Sequence, residues 1–411
     1  MTHKNIISVD EENYKSILNS ANSTERVSTH THPNYKYPAR FSPLFIENII
    51  ENFTESGDLI VDPFMGGGTT AVEAHVKSRN YIGFDNNYLA YFVSKVKTKK
   101  LIDRELLILR LWSYDVIQQI SNTKNVTNKA WQDKKSVYIE SGYFMNMTKS
   151  NTWRVENYID FILYNIEHNK KLNKSSIKEY ARFIVLSVSQ WALDNSKAIP
   201  SKEAFQKKFI ESADLILNNA RSYANILGKN KKSTLIIKNQ DSVNIAKNIS
   251  VIKQLKNQKV KLILTSPPYP GIRVIYDHWQ ILGRKETRIP YWIANGLDGH
   301  SYEYYNLGRR AEKNLHTYYS RLHDTFREIK KICSEETIIV QVVGFKDIKS
   351  QMQRYLEVME VCGFEEHFLS CDKNYSDKRI WREVPNRGWQ AVSKGTIDAS
   401  KELVLFHKIK K

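Results

Sequence analysis

Cysteine is scarce in this chain. Three among 411 residues, Cys333, Cys362 and Cys371, show no CxxC spacing and no regular framework. That argues against a disulfide scaffold or a structural zinc site and fits a reducing compartment. Long apolar runs are also missing, since none approaches the roughly 20 residues needed to span a bilayer. The first residues, Met1 to Asn5, lead into no apolar signal core. A soluble intracellular protein with no membrane partner is therefore expected. Acidic residues are in deficit: 44 Asp and Glu stand against 62 Lys and Arg, a formal net charge of +18. Such an excess favours a polyanionic partner, because neutralised phosphates release counterions. No internal repeat or low-complexity tract stands out. The length predicts two or three domains, and a hydrophobic content of 41% permits a sizeable core.

What is present is an α/β rhythm with a gap in it. Residues 1–30 are polar and read as a loosely ordered N-terminal arm. An apolar helical stretch covers 44–50. Residues 59–61 read as a buried strand ending at Asp62, 69–78 as a helix, and 81–84 as a strand ending at Asp85, which makes a βαβ unit. Residues 103–232 hold no convincing strand. Helical periodicity appears there over 105–120, 155–167, 177–193 and 203–227. The α/β pattern resumes with a strand at 234–238, a helix over 243–255 and a strand at 260–264. An aromatic segment, 269–312, has no simple period. A helix at 316–332, a strand at 337–343, a helix near 350–361 and strands near 364–370 and 402–409 follow, the last two predicting an antiparallel edge. The expected architecture is one α/β domain, 31–102 with 233–411, interrupted by a helical insert at 103–232.

Two segments carry chemistry. Asp62-Pro-Phe-Met-Gly-Gly-Gly-Thr-Thr70 joins a strand to a helix. Its glycines allow close backbone approach and positive φ, and the helix start offers free amide donors. It is not a phosphate loop, since the GxxxxGK[ST] lysine is absent and Asp62 would repel a phosphate. A carboxylate there suits a ligand with an amino group. Asp85, ending the next strand, is placed to accept hydrogen bonds from ribose hydroxyls. The plain alternative is a structural tight turn followed by a strand-end carboxylate. The second segment, Thr265-Ser-Pro-Pro-Tyr269, follows another buried strand. Exocyclic amines of bases are poor nucleophiles, so a catalyst must orient them with hydrogen-bond acceptors. The Ser266 hydroxyl and the Pro267 carbonyl are such acceptors. Pro267 and Pro268 stiffen the loop, and Tyr269 offers a face for an extruded base. A rigid proline turn with a buried tyrosine is the structural alternative.

The glycine segment resembles the DPFxGxGT motif of S-adenosylmethionine-dependent DNA amino-methyltransferases, with Met65 and Gly67 at the variable places. The Ser-Pro-Pro-Tyr segment resembles the same family's (D/N/S)PPY motif. Upstream, His32-Pro-Asn-Tyr-Lys-Tyr-Pro-Ala-Arg-Phe41 is similar to its H-x-Y-P-A-K/R-F segment. The resemblance covers about 31–100 and 233–375. It implies a Rossmann-like methyltransferase with a central, mostly parallel sheet and S-adenosyl-L-methionine as cofactor. By resemblance, Asp62 and the glycine backbone hold the methionine part, with Pro63, Phe64, Gly66, Gly68, Thr69 and Thr70 in the same motif. Tyr37, Pro38, Ala39, Arg40 and Phe41 pack beside it. Asp85 serves the ribose and Asp241 the adenine, with Asn86 and Ser242 also expected at the cofactor. Ser266, Pro267, Pro268 and Tyr269 form the catalytic loop, and transfer is direct, without metal or covalent enzyme intermediate.

A serine at the first loop position resembles the cytosine-N4 enzymes; Asp or Asn is usual for adenine-N6 enzymes. Adenine-N6 and RNA amino-methylation stay open, as does a non-catalytic nucleic-acid binder. Carbon-5 methylation is disfavoured, because no Pro-Cys nucleophile stands in a catalytic context. Double-stranded DNA is the expected partner. By analogy, a restriction–modification system with an independently acting endonuclease is expected, in a prokaryotic cytoplasm or nucleoid. Arg273, Tyr276, His278, Trp279 and Arg284 are candidate DNA contacts, because they mix charge with aromatics. Packing is the favoured reading of His278 and Trp279 taken singly, and Trp381, Arg382, Arg387 and Trp389 form a second such cluster. The insert carries 21 Lys and Arg against 13 Asp and Glu, which suits phosphate contacts and makes it the candidate target-recognition region. A helical lid or dimerisation module is its alternative, and segments 270–312 and 376–400 compete for the recognition role.

Overall fold

The computed structural model describes residues 5–411 except 24, 26–27, 39, 123–125, 148–151, 197, 273, 284, 301, 310–312, 372–378 and 384–400. Its strands are β1 (Ile6–Ser8), β2 (Leu59–Asp62), β3 (Asn80–Asp85), β4 (Leu235–Asn239), β5 (Val260–Thr265), β6 (Trp279–Ile281), β7 (Lys285–Thr287), β8 (Ile338–Gly344), β9 (Phe364–Ser370), β10 (Ile380–Glu383) and β11 (Lys401–Ile409). The main sheet runs β1-β9-β11-β8-β5-β2-β3-β4, with β10 also on β11. β4, β3, β2, β5 and β8 are parallel. β8, β9 and β10 each pair antiparallel with β11. Within this sheet β11 alone is reversed.

The central strands are apolar because both sheet faces are covered. Leu59, Val61, Ile82 and Ile263 enter one core and Ile60, Tyr81, Leu262 and Val342 the other. Side chains that alternate faces along each strand thus fill two layers. A third core is built by helices Asp103–Gln118, Lys129–Glu140, Thr152–His168, Ser175–Leu193 and Lys202–Lys229. It continues into Leu89, Val93 and Val96 of helix Tyr88–Lys97, and into Trp279, Ile281 and Trp292. The helical stretch therefore rests directly on the element that follows β3.

Several expectations are corrected. The reversed strand is no edge: β11 lies between β8 and β9, and β1 pairs with the far side of β9. The N-terminal stretch is no loose arm either. Beyond β1, helix Glu11–Asn22 buries Ile17, Ser20 and Ala21, and its Asp10 cap accepts from the Asn13 amide at 2.7 Å. Residues 243–255 are not one helix. A 3-10 turn, Ser242–Lys247, gives way to helix Ile249–Leu255, where the Asn248 side chain accepts from the Ser250 and Val251 amides and starts a new element. The aromatic segment hides the β6–β7 hairpin, too short to show a period.

Candidate active site

The glycine turn leaves β2 with its backbone pinned from behind. The Gly66 amide donates to Asp85 Oδ2 at 2.9 Å, and its carbonyl accepts from Ser94 Oγ at 2.8 Å. The Gly67 carbonyl accepts from Lys97 Nζ at 3.0 Å. Both anchors lie on helix Tyr88–Lys97. Gly68 caps helix Thr69–Val76 at φ +75°, and a Cβ there would meet Ser94 Oγ at 2.6 Å, so glycine is required twice over.

One pocket of about 750 Å³, open to solvent, lies over this turn at the carboxyl ends of the parallel strands, where ligands of doubly wound sheets bind. Of the residues expected at the cofactor, Tyr37, Pro38, Arg40, Phe41, Pro63, Phe64, Gly66, Thr69, Asp85, Asn86, Asp241 and Ser242 line it. Ser266 and Pro268 line the same pocket, and so does Tyr276, expected instead at the DNA. Gly67 lines it with Gly66 as part of the glycine backbone, and Met65, Asn87, Tyr305 and Leu307 line it as well and were not foreseen. Asn87 had a legible signal, for an Asn opening a helix is a cap, and it accepts from the Leu89 amide at 2.8 Å. Tyr305 and Leu307 had none, since they arrive on an aperiodic segment.

The carboxylates divide the work. Asp62 is not a lining residue. It is buried, accepting from Thr265 Oγ1 at 2.7 Å and from the Phe64 amide at 3.1 Å. It thereby ties the glycine turn to the strand that carries the Ser-Pro-Pro-Tyr loop. Burial pushes its carboxyl up to about 6. Gly68 and Thr70 likewise stand behind the pocket wall. Asp85 accepts from the Gly66 and Asn87 amides, one on each oxygen. Burial first, and then the nearby Asp62 and Asp241, push it up to about 7. Each oxygen keeps a second lone pair for a ligand hydroxyl. Asp241 caps the 3-10 turn by accepting from the Val243 amide and also accepts from the Tyr304 hydroxyl at 3.1 Å. Ser242 Oγ donates to the Pro63 carbonyl, joining the two turns.

Beneath the turn sits a buried polar group that the sequence did not announce. His32 Nε2 is 2.6 Å from Glu73 Oε1, and both side chains are about 2% exposed. Burial drives Glu73 up to about 8 and His32 down, with Lys97 adding to the latter. Lys97 is enclosed too, and burial lowers it to about 7. Arg40 Nη1 donates to the His32 carbonyl at 3.1 Å, so the upstream segment is clasped to this group.

In the Ser-Pro-Pro-Tyr loop, Ser266 Oγ donates toward the Val342 carbonyl at 2.9 Å and lies 3.2 Å from the Tyr269 hydroxyl. The Pro268 carbonyl accepts from the Tyr318 hydroxyl at 2.7 Å. Pro267 and Tyr269 are buried and do not line the pocket. The structure thus turns Tyr269 inward, and its face is not offered to the pocket.

The candidate DNA contacts scatter. Trp279 is 3% exposed and its indole donates to the Tyr35 hydroxyl at 3.2 Å. His278 is buried against Asp277 at 2.9 Å. Both are buried: Trp279 sits in the hairpin that joins the helical core, and His278, just before it, lies between Asp277 and Glu286. Tyr276 stacks on Tyr37 at 6.1 Å. Arg382 is buried, and Trp381 packs on the sheet core. Ala39, Arg273, Arg284, Arg387 and Trp389 lie outside the described residues.

A mostly parallel sheet with one reversed strand inside it, and a pocket at its carboxyl ends, defines the class: a Rossmann-like methyltransferase fold. Residues 3–93 match the family model described as DNA methylase, the N6/N4 methyltransferases. The type II methyltransferase M.MjaII of Methanocaldococcus jannaschii is 26% identical over 157 residues, covering 38% of this chain and 26% of that protein. M.BglI of Bacillus subtilis is 44% identical over 52 residues, 13% of this chain and 15% of that protein. The orphan methyltransferase M.BamHII of Bacillus amyloliquefaciens is 43% identical over 49 residues, 12% and 18% of the two chains. Over residues 3–93 the chain resembles the N6/N4 DNA methylases. The matched stretch spans about a quarter of the length of M.MjaII, so these relatives speak to part of each protein.

S-adenosyl-L-methionine is the methyl donor this family match implies, and the pocket fits it. Asp85 and Asp241 are acceptors for hydroxyl and amino groups. Gly67, with no side chain of its own, leaves its backbone open to a ligand, and Tyr37, Phe64 and Leu307 supply apolar walls. Among the described residues no helix is long and apolar enough to cross a membrane.

Proposed function

We propose that this protein methylates an exocyclic amine of a base in double-stranded DNA, cytosine N4 being the target, as part of a restriction–modification system. The observation that carries the reading is a single pocket lined both by the glycine turn and by Ser266 and Pro268. Cofactor and catalytic loop thus share one cavity, as a direct transfer requires. When bound, S-adenosylmethionine supplies an electrophilic methyl group. Tyr37, Asp85, Asn86, Asn87, Asp241 and Ser242 would hold it. Ser266 Oγ directs its proton inward, toward Val342, and so presents lone pairs to the pocket. Those lone pairs accept hydrogen bonds from the target amine and relieve the positive charge that develops on it. The amine is inaccessible inside a duplex, so the base is extruded.

Serine as the first residue of the loop supports cytosine. The helices of the stretch 103–232, packed on helix Tyr88–Lys97 and rich in Lys and Arg, are the candidate region for reading the target. M.MjaII and M.BglI are type II methyltransferases by name, which supports a protective role beside a cognate nuclease in the cytoplasm. The test is to incubate the protein with methyl-labelled cofactor and duplex DNA, then digest to nucleosides. N4-methylcytosine is expected. N6-methyladenine would refute the choice of base, and label appearing in RNA alone would refute the reading. Ser266→Ala should lower turnover about a hundredfold while leaving cofactor affinity within about twofold.

A further inference from the structure

The catalytic loop is held from the reversed strand. The Tyr269 hydroxyl donates to Glu402 Oε1 on β11 at 2.7 Å. Glu402 Oε2 accepts from Arg382 Nη1 on β10 at 3.1 Å. Arg382 Nε donates in turn to the Ala21 carbonyl at 3.1 Å, in the last turn of the N-terminal helix, and its guanidinium lies 5.0 Å from the Phe45 ring. Tyr269, Glu402 and Arg382 are each under 10% exposed. The chain of contacts begins at Ser266, whose Oγ is 3.2 Å from the Tyr269 oxygen.

Proton directions follow from the chemistry of the groups. A carboxylate paired with a guanidinium only accepts, so the single Tyr269 proton points at Glu402. None is left to aim at Ser266. Ser266 directs its own proton to Val342 or to the Tyr269 oxygen, and in either case keeps its lone pairs clear. We propose that Glu402 is a positioning residue for methyl transfer: by holding the Tyr269 proton it keeps Ser266 an acceptor for the target amine. This rests on the role of Ser266 proposed above.

Glu402→Gln tests it. The amide nitrogen can donate to the Tyr269 oxygen, which turns the tyrosine proton onto Ser266 and occupies a lone pair. One misdirected hydrogen bond should cost roughly tenfold in turnover at saturating cofactor and DNA. The KM for S-adenosylmethionine should not move. Tyr269→Phe removes the proton altogether, so in that background Glu402→Gln should cost nothing further. Thermal unfolding of all four proteins reports on folding. A purely structural Glu402 would give the same loss in both backgrounds, with a falling unfolding temperature and weaker cofactor binding, and that result overturns the inference. If the wild type methylates no nucleic acid, the functional reading falls and takes this one with it. If the wild type is active and the two losses are equal, only this one falls.

Discussion

Gly67→Ala is the sharpest perturbation the site offers. Family resemblance puts Gly67 at a variable place, so the motif alone predicts tolerance. The structure predicts otherwise. The φ of Gly67 is not in the left-handed region, so alanine adds no torsional strain; the penalty is contact alone. Its Cβ would stand 2.6 Å from Tyr37 Cβ and 3.1 Å from Tyr37 Cγ. Ordinary contact begins near 3.4 Å, so the two residues must part by about 0.8 Å. Cβ is fixed to the backbone, so no side-chain rotation relieves the clash, and the whole of residue 37 has to move. Tyr37 is buried, lines the pocket and stacks on Tyr276. Overpacking of this kind costs about 1–3 kcal/mol. If the strain falls on the ligand-bound arrangement, cofactor affinity drops between about fivefold and about a hundredfold. If it falls on the free protein, the unfolding temperature drops instead. Titration calorimetry with S-adenosylmethionine and thermal unfolding together capture both routes. A variant that binds and melts like the wild type would refute the reasoning.

Other outcomes follow from the same geometry. Asp85 titrates near 7 in the folded protein, against about 4 unfolded. Its contribution to stability is therefore fully present below about pH 4 and lost as pH rises through about 7. Cofactor affinity should rise over the same approach to pH 7, as the carboxylate forms. Unfolding scans from pH 5 to 8 should slope less in Asp85→Asn, and an unchanged slope would count against the assignment. Lys97 is the converse case, lowered to about 7 in the fold. Its contribution is full above about pH 10 and lost as pH falls through 7, so Lys97→Met should flatten the stability profile between those values. The same variant frees the Gly67 carbonyl, and calorimetry should show weaker cofactor binding. Trp279→Ala should cost about 3–5 kcal/mol of stability by opening a cavity. DNA affinity measured well below its melting temperature should be unchanged; a selective loss there would restore Trp279 as a DNA contact.

Much of the site was legible because it is local. A strand ending in a carboxylate and a run of glycines before a helix need only a few consecutive residues, and both lie where expected. Legibility stopped where a side chain had two possible directions. Trp279 beside charged residues left two readings, a nucleic-acid contact and the favoured packing, and the Tyr35 hydroxyl, far away in sequence, draws its indole inward. The N-terminal stretch is polar on average, and three buried side chains in one helix are too few to raise that average. The place of the reversed strand was equally hidden. Neighbours in sequence predict the pairing of 364–370 with 402–409, but not that the later strand inserts against β8.

The sequence by itself determined the class of fold, the glycine turn, the stiff Ser-Pro-Pro-Tyr loop and the acidic strand ends, for these depend on the torsional freedom of glycine, the stiffness of proline and the burial of apolar runs. Only the tertiary structure decided which of those groups face the ligand. It turned Asp62 back to brace Thr265 and left Asp85 in the pocket wall. It set Lys97 under the turn, and it brought Glu402 to Tyr269 across 133 residues of chain. The physical reason is that a hydrogen bond or a close contact is fixed by distance in space, and distance in space is what a linear pattern does not contain.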